Sequence, residues 1–179
     1  SLNIFDCEIS PISGGSIVIF FKKKKILKSK KLLKLIKNEN KKKYNSLNTW
    51  KKFGQNCIDH SSQLNFEINK ILKSNLKPVA YGASARSSTM LNFSKINSSH
   101  ISHIIDKNKL KDGYFTAGSN IKIKSFNKEK KKISNYKWII ILAWNFKTEI
   151  VKDLKNNGFK GKMLIPLPSI KIINENKKN

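Results

Sequence analysis

The sequence predicts an α/β fold with a mostly parallel sheet and flanking helices. Three observations predict it. From residue 78 onward, apolar runs of strand length alternate with helical patterns and small-residue turns. One run, 136–143 (Tyr-Lys-Trp-Ile-Ile-Ile-Leu-Ala), is the most apolar in the chain, as a central parallel strand covered on both faces requires. Ahead of these units stand two β-rich segments and one long amphipathic pattern.

The elements follow in order. Residues 2–9 alternate loosely through Leu2, Ile4, Phe5, Cys7 and Ile9 and read as a strand. Pro11, Ser13, Gly14 and Gly15 make a turn, and the β-rich run 16–21 answers as a second strand. Two strands cannot stand alone, so this hairpin must join a larger assembly. Lysines 22–25 end it as a solvated linker. Apolar residues at 26, 27, 32, 33, 35 and 36 predict a short helix, and 38–43 a polar loop. From Leu47, a long helix carries Trp50, Phe53, Cys57, Leu64, Ile68 and Leu72 as one buried stripe, ended by Ser74, Asn75 and Pro78.

Residues 79–81 form a short buried strand behind Pro78. The chain breaks at Gly82 into small residues, and Met90, Leu91 and Phe93 resume a helical apolar face. A strand follows at 101–105, ending at Asp106. Turns follow at Asp112-Gly113 and 117–120, then a strand at 121–123 and a charged loop or helix end at 128–132. After the central strand, Asn145 reads as the N-cap of a helix with Glu149 in its first turn, which Asn157-Gly158 stops. A last strand at 162–166 leads to a tail bracketed by Pro166 and Pro168. The order is that of a Rossmann-like sheet. It divides the chain into a hairpin (1–24), a helical connector (25–77) and a substrate-binding domain (78–179).

The charge tells a competing story. The chain has 179 residues, with 37 Lys+Arg against 11 Asp+Glu and a net charge of +26. Taken alone, that favours a nucleic-acid or membrane partner. Yet Arg86 is the only arginine. Nucleic-acid readers use arginine for its planar fork. Abundant Lys, Asn and Ile are what an AT-rich coding sequence produces, so nucleic acid is not expected as the primary ligand. No apolar run approaches the ~20 residues of a membrane span, and no membrane partner is expected. Cys7 and Cys57 form no motif, which fits a reduced, cytoplasmic setting. The chain begins at Ser1 without Met, and its N-terminus is expected to be cut.

The site is expected at strand carboxyl ends, where open α/β sheets bind ligands. Three polar clusters fall there: Gly82 to Arg86, Asp106 to Asn108, and Trp144-Asn145. The turn after 79–81 presents a helix N-terminus to an anion. Tyr81, Ser84, Arg86, Ser88 and Thr89 add polar groups around it. Asp106, 24 residues after Gly82, stands where an acid takes ribose hydroxyls or simply caps a turn. One glycine, where a dinucleotide fingerprint needs three, weighs against a nicotinamide cofactor. His100 and His103 read as surface residues flanking a strand, and no acid or cysteine cluster completes a metal site with them. No catalytic triad or carboxylate pair is visible.

These motifs together resemble a known family. Tyr81-Gly82-Ala83-Ser84-Ala85-Arg86 with Thr89-Met90-Leu91-Asn92 is similar to the opening motif of the C-terminal domain of sugar C-methyltransferases. Asp106 with Asn108, Lys111-Asp112-Gly113-Tyr114, Ala117-Gly118-Ser119-Asn120-Ile121, Leu142-Ala143-Trp144-Asn145 and Ile165-Pro166-Leu167-Pro168 resemble its later segments. Gly14-Gly15-Ser16-Ile17 resembles the double-glycine hairpin that closes the methyl-donor domain of the same proteins. Arg86 stands for the usual lysine, Ser87 for a glycine, Ala117 for a proline, and Ser13 and Val18 for a histidine and an arginine.

The resemblance implies a three-part enzyme: a zinc-binding segment, an S-adenosylmethionine domain, and this domain, which holds a nucleotide-diphosphate sugar bearing a ketone. A base in the donor domain removes the proton next to the ketone, and the resulting carbanion attacks the methyl sulfonium. The part implied for this chain is substrate orientation. S-adenosylmethionine is expected on the upstream domain and not on this stretch, and this chain alone is expected to be inactive. The substrate-binding residues implied are Tyr81, Gly82, Ser84, Ala85, Arg86, Ser88, Thr89, Asn92, Asp106, Asn108, Trp144 and Asn145, with none catalytic and none ligating metal. A basic nucleic-acid module and a nicotinamide-binding Rossmann protein are the alternatives.

Overall fold

The computed structural model describes residues 1–12 and 15–174 and divides into two compact units, Ser1–Cys57 and Ile58–Asn179. Ser13 and Gly14, part of the double-glycine motif, lie outside the described residues.

In the first unit, β1 (Asn3–Ser10) and β2 (Ser16–Lys22) pair antiparallel, from Asn3 opposite Lys22 to Ser10 opposite Ser16. The hairpin is as expected. The helix α1 runs Lys30–Lys41, not 26–36, and absorbs much of the expected loop. Ser29 sets its start: the hydroxyl accepts from the Leu32 N–H at 3.1 Å and donates to the Asp6 carboxylate at 2.5 Å. Leu27, left outside, is 93% exposed.

The long helix α2 spans Leu47–Leu72, as its periodicity predicts. The expected single buried stripe is corrected. Leu64, Ile68 and Ile71 are buried, but Leu47, Trp50 and Phe53 are exposed. Periodicity marks the face a helix can bury, whereas burial needs a second layer on it.

The second unit contains β3 (Val79–Tyr81), α3 (Ala85–Phe93), β4 (Ile104–Asp106), β5 (Ile123–Ser125), α4 (Phe126–Glu129), β6 (Trp138–Ile141), α5 (Lys147–Asn156), β7 (Lys162–Ile165) and β8 (Lys171–Asn174). The sheet order is β5-β4-β3-β6-β7-β8, parallel except for β8. The mostly parallel Rossmann-like α/β sheet is therefore present. Alternate strand residues feed two cores, as period-2 geometry requires. Ala80, Ile104, Ile140 and Leu164 pack with Leu64 and Ile68 of α2 and Leu91 of α3. Tyr81, Ile105, Ile139 and Met163 pack with Ile150 and Leu154 of α5.

Three further expectations are corrected. Asn145 does not cap α5: it lies in a 3-10 turn, Trp144–Phe146, that runs straight into the helix, with Phe146 at the cap and no side-chain hydrogen bond there. His103 is not a surface residue; it is 5% exposed beside the buried Glu129. The strand at 162–166 is not the last: residues 171–174, expected as tail, form β8, paired antiparallel with β7.

Candidate functional site

The sheet order fixes where a site can form. The chain starts in the middle at β3, moves outward through β4 and β5, then returns to β6 on the other side. The reversal lies between β3 and β6, and a crevice opens at their carboxyl ends. Gly82 leaves β3 there with φ of +98°. A Cβ on Gly82 would lie 2.5 Å from the Ala143 Cβ and 3.0 Å from its backbone nitrogen. The two strand ends therefore touch, and only glycine permits it.

The turn after Gly82 is closed largely by its own groups. Ser84 caps α3 by accepting from the Ser87 N–H at 3.2 Å, and the Ser87 hydroxyl accepts from the Ser84 N–H at 3.3 Å. The buried Ser87 hydroxyl also donates to the Gly82 carbonyl at 2.8 Å. A serine at this position, where the resembling family has glycine, completes the cap.

Asp106 ends β4 and ties the turns together. Its carboxylate accepts from the Ala83 N–H at 2.8 Å, the Asn108 N–H at 2.8 Å and the Lys111 ammonium at 3.2 Å. Lys111 also donates to the Ala83 carbonyl at 2.6 Å. Lys107 pairs with Glu149 at 2.8 Å and Asp153 at 2.6 Å, both on α5. These two carboxylates hold the Lys107 ammonium above its ordinary range.

Around these groups lies a cleft of about 380 Å³. Of the expected residues, Tyr81, Gly82, Ser84, Asp106 and Asn108 line it together. Ala85, Arg86, Ser88, Thr89 and Asn92 sit along α3 and do not line it, and neither do Trp144 and Asn145. Thr89 donates back to the Ala85 carbonyl, and Asn92 donates to the Ala117 carbonyl at 3.0 Å. Trp144 packs against both cores. Sequence reading missed Lys107, Lys111 and Phe146 as cleft residues. Lysines are too frequent in this chain for their identity to single any out.

Tyr81 brings a hydroxyl to the residues that line the cleft. It is buried and has no hydrogen-bond partner among the described residues. Burial, the largest influence, pushes its pKa up to about 12, and Asp153, Asp106 and Glu149 add to the rise against Lys107. It is a neutral donor at physiological pH. A buried unsatisfied hydroxyl costs free energy that a ligand can recover.

The open valences can be counted. An ammonium has three donors and a carboxylate about four acceptor positions. Lys107 donates one hydrogen bond, to Glu149, and faces Asp153 as an ion pair; Lys111 donates two, and Asp106 fills three of its acceptor positions. Tyr81 adds its unused O–H. Lys107, Lys111 and Tyr81 thus retain donors, and Asp106 an acceptor position, among the residues that line the cleft, which suits a ligand rich in oxygen. Asp106→Asn is expected to lower stability by about 1–2 kcal/mol, because an amide cannot accept from two N–H groups and an ammonium together. Urea denaturation checks this, with unchanged stability as the contrary result.

Among the described residues, no three His, Cys, Asp or Glu side chains gather as for a metal ion, and no helix is long and apolar enough to cross a membrane. A family profile described as "C-methyltransferase C-terminal domain" matches residues 11–168. Among solved structures, 20 chains match. One is the crystal structure of RSP, a Rex-family repressor, at 16% identity and a TM-score of 0.35, covering 60% of this chain and 55% of that one. The chain thus spans about half the length of that protein. No curated protein sequence matches.

Proposed function

This chain belongs to the C-methyltransferase C-terminal domain family, and on that premise we propose that its strand-end cleft holds a nucleotide-diphosphate sugar for methylation at a carbon next to a ketone. The observation that carries the reading is the buried, unpartnered Tyr81 hydroxyl at the switch-point cleft. Tyr81, Lys107 and Lys111 donate to ligand oxygens, and Asp106 accepts from a hydroxyl. Asp106 also positions: through Ala83 and Asn108 it fixes both turns that frame the ligand. The domain's contribution is orientation, which converts an encounter of donor and acceptor into a near-attack geometry.

No step of methyl transfer is assigned to these residues. S-adenosylmethionine and the base belong to an upstream domain of the same cytoplasmic protein, and the present chain alone is inactive.

A pyrimidine nucleoside diphosphate at a hundredfold its dissociation constant is expected to stabilise the protein by about 2.7 kcal/mol, read as a rise in melting temperature, whereas free sugar is not. Tyr81→Phe sharpens the test. Removing an unsatisfied hydroxyl leaves the ligand-free melting point unchanged or higher. It weakens nucleotide-sugar binding by about 1–1.5 kcal/mol. No shift at millimolar nucleotide, for this chain or for the chain joined to its donor domain, overturns the reading.

A further inference from the structure

We infer that a second groove, on the opposite edge of the same sheet, binds a single strand of nucleic acid. It lies in the second unit and measures about 1030 Å³. Its walls are the last turns of α2, the residues leading into β6 and β7, and β8. It therefore sits at the starts of the parallel strands, away from the cleft at their ends.

Four lysines line it: Lys70, Lys137, Lys160 and Lys162, against one acid, Glu67. The strand-end cleft differs in its charge pairing. There, Lys107 and Lys111 are both paired with carboxylates. Among the described residues, none of the four groove lysines forms an ion pair with a carboxylate. What sets these four apart is their place: they line one groove together with a tryptophan, the pairing of cations and aromatic face that a phosphate backbone and a base require.

That tryptophan is Trp138, half-buried, with the Lys162 ammonium 5.4 Å from its ring centroid. Beneath, Trp138 packs on the core shared with α2. Trp138 also lines the groove, with the Lys162 ammonium over its ring. A base stacking on indole outweighs an exposed cation–π contact, so the base takes the ring and the displaced ammonium meets a phosphate. The α2 wall carries Glu67 and the negative end of a helix dipole, so the phosphates follow the opposite wall, Lys137, Lys160 and Lys162. An acidic peptide would use the charge but leave Trp138 idle. The inference does not rest on the nucleotide-sugar reading, since the two sites share no residue.

The test is fluorescence anisotropy of a labelled eight-nucleotide oligo(dT), with polyglutamate of equal charge as the peptide probe. Three phosphate contacts predict a log–log salt slope of about −2. Lys137→Glu/Lys160→Glu is expected to weaken oligo(dT) binding tenfold or more. Lys147→Glu/Lys152→Glu on α5, with the same change in net charge, is expected to leave it within about threefold. If the first pair fails to fold, Lys160→Gln/Lys162→Gln is read in its place. Binding by wild type that resists the α5 control, fails in the groove variants and exceeds polyglutamate binding supports the groove. Equal loss in both charge variants, polyglutamate binding as tightly, or no binding at 50 mM salt overturns it.

Discussion

Gly82→Ala is expected to destabilise the second unit by about 3 kcal/mol. Two costs add. The residue has φ of +98°, where an L side chain is strained by about 1 kcal/mol. The new methyl would also lie 2.5 Å from the Ala143 Cβ, in contact with backbone that cannot swing aside. Forcing an extra carbon into such a site costs about 1–3 kcal/mol. Gly113→Ala separates the two. Gly113 has φ of +87° but nothing within 4 Å of the added carbon, so only about 1 kcal/mol is expected. Urea unfolding of both variants measures the difference. Equal losses would show that β3 and β6 do not touch as described. The same substitution is expected to abolish nucleotide binding, because separating the strand ends dismantles the cleft.

Glu129→Ala is the second large effect, expected to cost about 3–5 kcal/mol. The Glu129 side chain is 3% exposed, and four groups surround it. His103 Nε2 lies at 3.3 Å, Lys124 at 3.5 Å and Lys132 at 3.6 Å, and the Tyr136 hydroxyl donates to it. Lys132 is largely exposed and contributes little. The cost comes from stranding the buried His103 and the half-buried Tyr136. Glu129→Gln keeps the shape and an acceptor, and about half that cost is expected.

The pH dependence follows from the same cluster. Burial, the largest influence on Glu129, raises its pKa, but Tyr136, His103, Lys124 and Lys132 together outweigh it, so the carboxyl stays below its ordinary 4.5. A depressed acid stabilises above its unfolded pKa, and that share is lost as pH falls below 4.5. Burial, then Lys124, hold His103 below its ordinary 6.5 despite Glu129. Its neutral form is the folded one, so stability also declines as pH falls from 6.5. Wild type therefore weakens in two stages toward acid. The gap between wild type and Glu129→Gln is expected to close below pH 4.5, where the wild-type carboxyl protonates. A gap constant from pH 7.5 to 3.5 in urea midpoints would remove Glu129 from this role.

Much of the sheet was legible because its signals are local. Apolar runs of strand length, the break at Gly82, the stop at Asn157-Gly158 and the acid at the end of β4 all act within a few residues. The errors fall where a local signal was overruled or absent. Asn145 has good cap chemistry, but the 3-10 turn places Phe146 at the helix start. Residues 171–174 carry an apolar run too short to declare itself, and they become a strand by pairing with β7. The first half of the α2 stripe has the right period with nothing of its own unit to bury it.

The sequence by itself determined the element order as far as β7, the turn at Gly82 and the presence of an acid after the second strand of the sheet, because period and turn chemistry are read within a few residues. The tertiary structure decided what those parts do. It put β3 beside β6, so that Gly82 meets Ala143 across 61 residues of chain. Among the described residues, it left the Tyr81 hydroxyl without a partner, gave Lys107 and Lys111 theirs, and set Lys137, Lys160 and Lys162 on the other edge with no carboxylate partner. Those outcomes depend on contacts between residues distant in sequence, and no local pattern specifies which distant group a side chain will face.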